Sequence, residues 1–147
     1  MKIAMGSDHA GFALKQEVKK HLQEMGCQVE DFGTYDEKSC HYPIYAQKVT
    51  TEVVGGRADL GVLICGTGAG MAIAANKVKG IRAVTVSDCF TAKAARMHND
   101  VNVLCMGARV LGPSLACLIA QLFVETGFEG GRHQTRIDMI SDIEKGK

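Results

Sequence analysis

Residues 60–65 read Leu-Gly-Val-Leu-Ile-Cys, six positions without a charge. A strand with one wet face alternates polar and apolar residues. A continuous apolar run has no wet face and must be covered on both sides. A parallel sheet sandwiched between helices meets that condition, and the rest of the chain supplies its parts. Further short apolar runs occur at KIAMGS (2–7), CQVEDFG (27–33), IRAVTVS (81–87) and VNVLCMG (101–107). Helical patterns lie between them. Leu14, Val18, Leu22 and Met25 share one face of a helix that starts near Ala10 and is ended by Gly26. After the loop TYDEKSCHY, Pro43 opens a second helix running to Gly55-Gly56. A third follows the glycines after Cys65. Ser87 or Asp88 caps a fourth, and Pro113 opens a fifth ending near Gly127. The last helix runs from about Gly131 to Lys145, with Ile137, Ile140 and Ile143 as its apolar edge.

The expected fold is therefore α/β: a doubly wound, five-stranded parallel sheet of the Rossmann-like kind, with helices on both faces and an extra C-terminal helix. The expected strand order is 2-1-3-4-5, whose switch point falls between strands 1 and 3. A chain of 147 residues suits one domain, 1–147. The formal net charge is +1 with no run of lysine or arginine, which argues against nucleic acid or an anionic membrane as partner. No stretch reads as a signal peptide or a membrane span, so a cytoplasmic setting is expected. The six cysteines contain no C-x-x-C and mostly sit in apolar runs, which reads as buried free thiols rather than a disulfide framework. Cys40 and His41 are adjacent, but no second pair has metal-ligand spacing, so neither a metal nor another cofactor is expected.

Ligands of such sheets bind beyond the carboxyl ends of the strands at the switch point. Gly6-Ser7-Asp8-His9 and Cys65-Gly66-Thr67-Gly68 fall there. The turn CGTGAGM is not the dinucleotide fingerprint, because Met71 stands where its third glycine belongs. Nor is GSDHAGF a Walker loop, because Phe12 stands in place of the lysine. What remains after Cys65 is either a plain tight turn or a run of N–H groups able to hold an anion. The helix dipole favours thiolate at a helix start, so Cys65 reads as a nucleophile or base, or as a packed strand end. A base beside an N–H cradle suits removal of a proton alpha to a carbonyl, giving an ene-diolate. Asp8 and His9 are either a functional pair or, for Asp8, a helix cap. His98 and Asn99 close the fourth helix and read equally as a stop signal. Arg132 and Arg136 share one helix face, as a phosphate grip or as a solvated basic face.

The combination GSDHAG, DFGTY, YP, CGTGAGMAIAANK, GIRAV, HND, NVL and GGRHQTRID resembles ribose-5-phosphate isomerases of the B type, within a group that includes allose- and galactose-6-phosphate isomerases. The resemblance covers residues 2 to about 140. It implies a metal-independent aldose-ketose isomerase of the pentose phosphate pathway. In that family's terms Cys65 is the base that moves a proton between C1 and C2. Thr67 assists at the substrate oxygens, and the Gly66, Gly68 and Gly70 backbone holds the ene-diolate oxygen. Asp8 and His98 open the furanose ring. His9, Arg109, Arg132 and Arg136 bind phosphate, and Tyr42, Asn99 and His133 make further contacts. Relatives that replace the cysteine by serine carry a glutamate after the last glycine; here Met71 follows Gly70 and the cysteine is present. The galactose-6-phosphate enzymes divide the motifs between two different subunits, whereas this chain carries all of them. The resemblance further implies a homodimer, or a tetramer made of two such dimers, with His98, Asn99 and Arg109 lent across the interface. Two alternatives stand beside ribose 5-phosphate: allose 6-phosphate as substrate, and a flavodoxin-like nucleotide-binding module. The module would leave Cys65, His98 and the arginines without a purpose.

Overall fold

The computed structural model describes residues 1–147. Strand β1 (Lys2–Ser7) leads into helix α1 (Phe12–Glu24), which presents Leu14, Val18 and Leu22 to the sheet as the four-residue spacing requires. Then follow β2 (Gln28–Asp31), α2 (Tyr42–Val54), β3 (Leu60–Cys65), α3 (Ala69–Ala75), β4 (Ala83–Thr85), α4 (Cys89–Asn99), β5 (Val103–Gly107), α5 (Pro113–Glu125) and α6 (Arg132–Glu144). Asp88 caps α4 by accepting the Thr91 N–H at 2.7 Å. All strand pairs are parallel, and every residue of β3 is buried. One face of the sheet is covered by α1, α4 and α5, the other by α2 and α3. No helix is long and apolar enough to cross a membrane.

The strand order is β2-β1-β3-β5-β4, which corrects the expected order for the last two strands. Strand β5 is buried at all five positions and takes the interior place beside β3. Strand β4 has three residues, none fully buried, and takes the edge. The exchange leaves the switch point between β1 and β3 but changes its neighbour. The loop after β5, not the one after β4, now lies beside the end of β3.

On α6, Ile137 is buried while Ile140 and Ile143 are exposed; the helix's main packing is against α4, and Glu144 near its end accepts the Gly80 N–H at 2.9 Å. With Phe90, which is 80% exposed, Ile140 lines a groove between α4 and α6.

Near the switch point the backbone is fixed from below by an ion pair absent from the sequence-level picture. Lys15 on α1 is fully buried and donates to the Asp31 carboxylate at 2.5 Å and the Thr34 carbonyl at 2.6 Å. Burial pushes Asp31 up, yet hydrogen bonds from Lys15, the Gly33 N–H and Lys19 outweigh it and hold the carboxyl below its usual range. Burial pushes Lys15 down, with Asp31 restoring only part. The Gly33 carbonyl accepts from Ser7 N–H, and the Ser7 carbonyl accepts from Thr34 N–H, each at 2.7 Å. The network thus anchors the end of β1 one residue before Asp8.

Candidate active site

Parallel register sets three loops side by side. Ser7 pairs with Ile64, and Cys65 with Gly107. The Asp8 N–H donates to the Ile64 carbonyl at 3.2 Å. The Ala108 and Arg109 N–H groups donate to the Cys65 and Gly66 carbonyls at 2.8 and 3.0 Å. The turn after Cys65 is tight enough to be glycine-dependent. Gly68 has φ +83°, and a Cβ there would stand 2.9 Å from Thr85 Cγ2 and 3.0 Å from the Met106 carbonyl carbon. Gly107 lies against the turn so closely that its Cβ would be 2.7 Å from the Thr67 carbonyl carbon. This conformation aims the Gly68 N–H at Cys65 Sγ, 3.2 Å away. The N–H groups of Gly66, Thr67, Gly70 and Met71 have no acceptor in the chain. A sulfur that receives one N–H, at the head of a turn with four unpaired N–H groups, sits where negative charge is favoured. Cys105, one strand away on the same core, is fully buried; burial pushes its thiol up and Cys65 adds to the shift.

Asp8 is buried at the switch point, and its Oδ1 accepts the Gly11 N–H at 3.0 Å, which closes the turn before α1 rather than capping the helix, whose N-cap is Gly11 with no side-chain partner. His9 Nδ1 accepts the Cys40 N–H at 3.3 Å, which leaves Nε2 as the proton-bearing nitrogen. The Tyr42 ring lies on the turn: its Cζ is 2.8 Å from where a Cβ on Gly70 would be. Thr67 is exposed at the lip, its Oγ1 accepting the Ala69 N–H at 3.3 Å. Arg109 Nη1 is 3.2 Å from a Cβ position on Gly66. Arg109 therefore stands with Cys65 of its own chain, not apart from it as the lending pattern predicts. The exchange of β4 and β5 is what brings it there.

The remaining residues form a second group at the opposite end of the sheet. Helix α4 runs back along the sheet, and Arg82, just before β4, donates to the Asn99 carbonyl at 3.0 Å and the Asp100 carboxylate at 2.8 Å. His98 and Asn99 are thereby fixed beside the amino ends of β4 and β5, whereas Cys65 is level with Gly107. The four steps from Val103 to Gly107 alone span about 13 Å. At the start of α6, His133 stacks on His98 with ring centroids 4.5 Å apart. Glu129, held by its N–H to the Met97 carbonyl at 3.0 Å, directs a carboxylate oxygen to 3.5 Å from His133 Nε2 and 3.9 Å from His98 Nε2. His133 Nε2 is buried without a hydrogen-bond partner. Burial pushes the imidazole below its usual range; the charges of Arg132, His98 and Arg136 add to this, and Glu129 opposes it. Arg132 and Arg136 are exposed and have no carboxylate partner in the chain. Sequence spacing offered no metal-ligand set, yet His98, Glu129 and His133 bring ligand atoms within 4.8 Å of one another. Glu129 was missed; its four-residue offset from His133, across Gly130-Gly131, was the available signal.

A family model described as Ribose/Galactose Isomerase matches residues 3–140. The chain is 50% identical over 144 residues to ribose-5-phosphate isomerase B of Escherichia coli, covering 98% of this chain and 97% of that one. The structure of ribose-5-phosphate isomerase B from Clostridium thermocellum superimposes with a TM-score of 0.98 at 46% identity, covering 99% of both chains. That of the Mycoplasma genitalium enzyme with bound ribulose-5-phosphate gives 0.93 at 42% identity, covering 99% of this chain and 97% of that one.

Proposed function

This chain belongs to the ribose/galactose isomerase family, and we propose that it interconverts ribose 5-phosphate and ribulose 5-phosphate. The observation that carries the mechanism is the Cys65 sulfur, held by the Gly68 N–H beneath a turn of unpaired N–H groups. Asp8 and His98 move the protons that open the furanose ring. Cys65, as thiolate, takes the proton from C2 of the open aldose. The electron pair moves into the C1–C2 bond, and the charge on O1 is received by the N–H groups of Gly66 to Gly70. Thr67 passes the proton from O2 to O1, and Cys65 returns its own proton to C1, so the cycle closes without net gain or loss. No step calls for a metal. His9 donates from Nε2 to the phosphate, with Arg109, Arg132 and Arg136 around it. Tyr42, Asn99 and His133 complete the sugar contacts.

Because His98, Asn99, Arg132, His133 and Arg136 lie a sheet's length from Cys65, we propose that each site takes them from a second copy of the chain. The exposed Phe90, Ile140 and Ile143 offer that copy an apolar surface. A chain with six free cysteines, one of which must stay a thiolate, suits the reducing cytoplasm. The test is Cys65→Ser assayed with ribose 5-phosphate. Serine is not ionised near neutrality, so kcat should fall by at least about 10³ while substrate still binds. Activity within tenfold of the unaltered chain would assign the base elsewhere. Running allose 6-phosphate in parallel compares the runner-up substrate, for which one extra carbon is worth only about 1–3 kcal/mol of discrimination.

A further inference from the structure

We propose that His98, Glu129 and His133 form a binding site for one divalent ion of the zinc, cobalt and nickel class, and that filling it silences the isomerase. Two imidazoles and a carboxylate are the ligand chemistry that such ions prefer and that magnesium or calcium does not. The spacing fits as well. Two atoms each about 2.1 Å from a tetrahedral ion stand about 3.4 Å apart, and further apart as the angle opens. Glu129 Oε2 is 3.5 Å from His133 Nε2 and 3.9 Å from His98 Nε2. Both separations are too long for a good hydrogen bond and match two ligands of a common ion.

The burial pattern is that of an open site rather than a closed structural one. His133 Nε2 is buried and without a hydrogen-bond partner, a fixed ligand already stripped of water. His98 is 39% exposed at the end of α4, so its ring can turn out of the parallel stack to direct Nε2 at the ion. Glu129 is exposed, leaving the remaining coordination position to water. Arg132 and Arg136 on the same helix oppose a cation, which fits an inhibitory ion better than a resident one. The binding itself is independent of the function proposed above. The silencing rests on it, because an ion on His98 removes the group assigned to ring opening.

The experiment is a cobalt(II) titration of the full chain, followed by visible absorption and by equilibrium dialysis. The expected result is one ion per chain, with ligand-field bands and no intense near-ultraviolet band from a thiolate. That last feature separates this site from capture by any of the six cysteines. His133 is buried, and its removal could disturb folding, so the variants are Glu129→Gln and His98→Ala, both at accessible positions. Affinity should fall at least about tenfold in the first and further in the second. No stoichiometric binding at millimolar cobalt, a thiolate band, or unchanged affinity in both variants would overturn the site. If cobalt binds as described but ribose 5-phosphate is isomerised at the unaltered rate, the silencing is refuted and the role of His98 in ring opening is what fails.

Discussion

Replacing Gly68 with alanine puts a methyl group where the fold has closed against one. The new Cβ would meet Thr85 Cγ2 at 2.9 Å, the Met106 carbonyl carbon at 3.0 Å and the Met106 nitrogen at 3.2 Å. Thr85 can rotate, but Met106 belongs to the central strand β5 and its backbone cannot move aside. The left-handed conformation at φ +83° adds about 1–2 kcal/mol for any residue with a Cβ. Overpacking against fixed backbone adds about 1–3 kcal/mol. The expected loss is therefore about 2–5 kcal/mol, measured by urea unfolding at matched chain concentration. Relief comes by lifting the turn off β5, which breaks the 3.2 Å contact from the Gly68 N–H to Cys65 Sγ and shifts the neighbouring N–H groups. Losing one aimed donor typically lowers kcat by about 10²–10³, so kcat/KM for ribose 5-phosphate should fall at least that far. A variant less than about 0.5 kcal/mol less stable, with kcat/KM barely changed, would refute both the packing argument and the role of the turn.

Arg136→Ala should raise KM for ribose 5-phosphate about tenfold, with a smaller fall in kcat, because a phosphate grip acts on ground and transition states alike; an unchanged KM would remove Arg136 from the phosphate site. Asp31→Asn leaves Lys15 buried and unpaired, and should cost about 3–5 kcal/mol at neutral pH. Since the Asp31 carboxyl is held below its usual range, its contribution is complete above the unfolded value of about 3.9 and is lost as pH falls through the folded value. The stability gap between the two proteins should therefore narrow in acid; equal stability at pH 7 would mean the pair does not hold the loop.

The elements were legible because their signals are local. LGVLIC is buried on both sides in any sheet that contains it, and Leu14, Val18 and Leu22 define a face whatever they meet. Strand order is not local. IRAVTVS and VNVLCMG are both apolar, and only the polar Arg82 and Thr85 hinted that β4 would accept an edge. The α6 periodicity identified Ile140 and Ile143 as a stripe but could not say what covers it. Lys15 reads as a solvated position on an amphipathic helix, and its partner Asp31 lies on another element. At the site, the glycine spacing placed a turn beside Cys65, and the switch-point rule brought Asp8 and His9 to it. Arg109 depended on the strand exchange, and Glu129 on loops that no periodicity describes. Asp8 does not cap α1, since the helix has its N-cap three residues later at Gly11; one of its carboxylate oxygens closes the intervening turn and the other is left over.

A shared active site would draw Cys65 from one chain and His98 from another. Its most direct test mixes two inactive variants, Cys65→Ala and His98→Ala, by joint denaturation and refolding, with mixed dimers verified by native mass spectrometry. In a mixed dimer one site carries both lesions and the other carries none. With random assortment half the dimers are mixed and half their sites intact, so about 25% of the unaltered activity should return. If Cys65 and His98 of the same chain serve one site, every site keeps a lesion, and mixed dimers that remain inactive would contradict the claim.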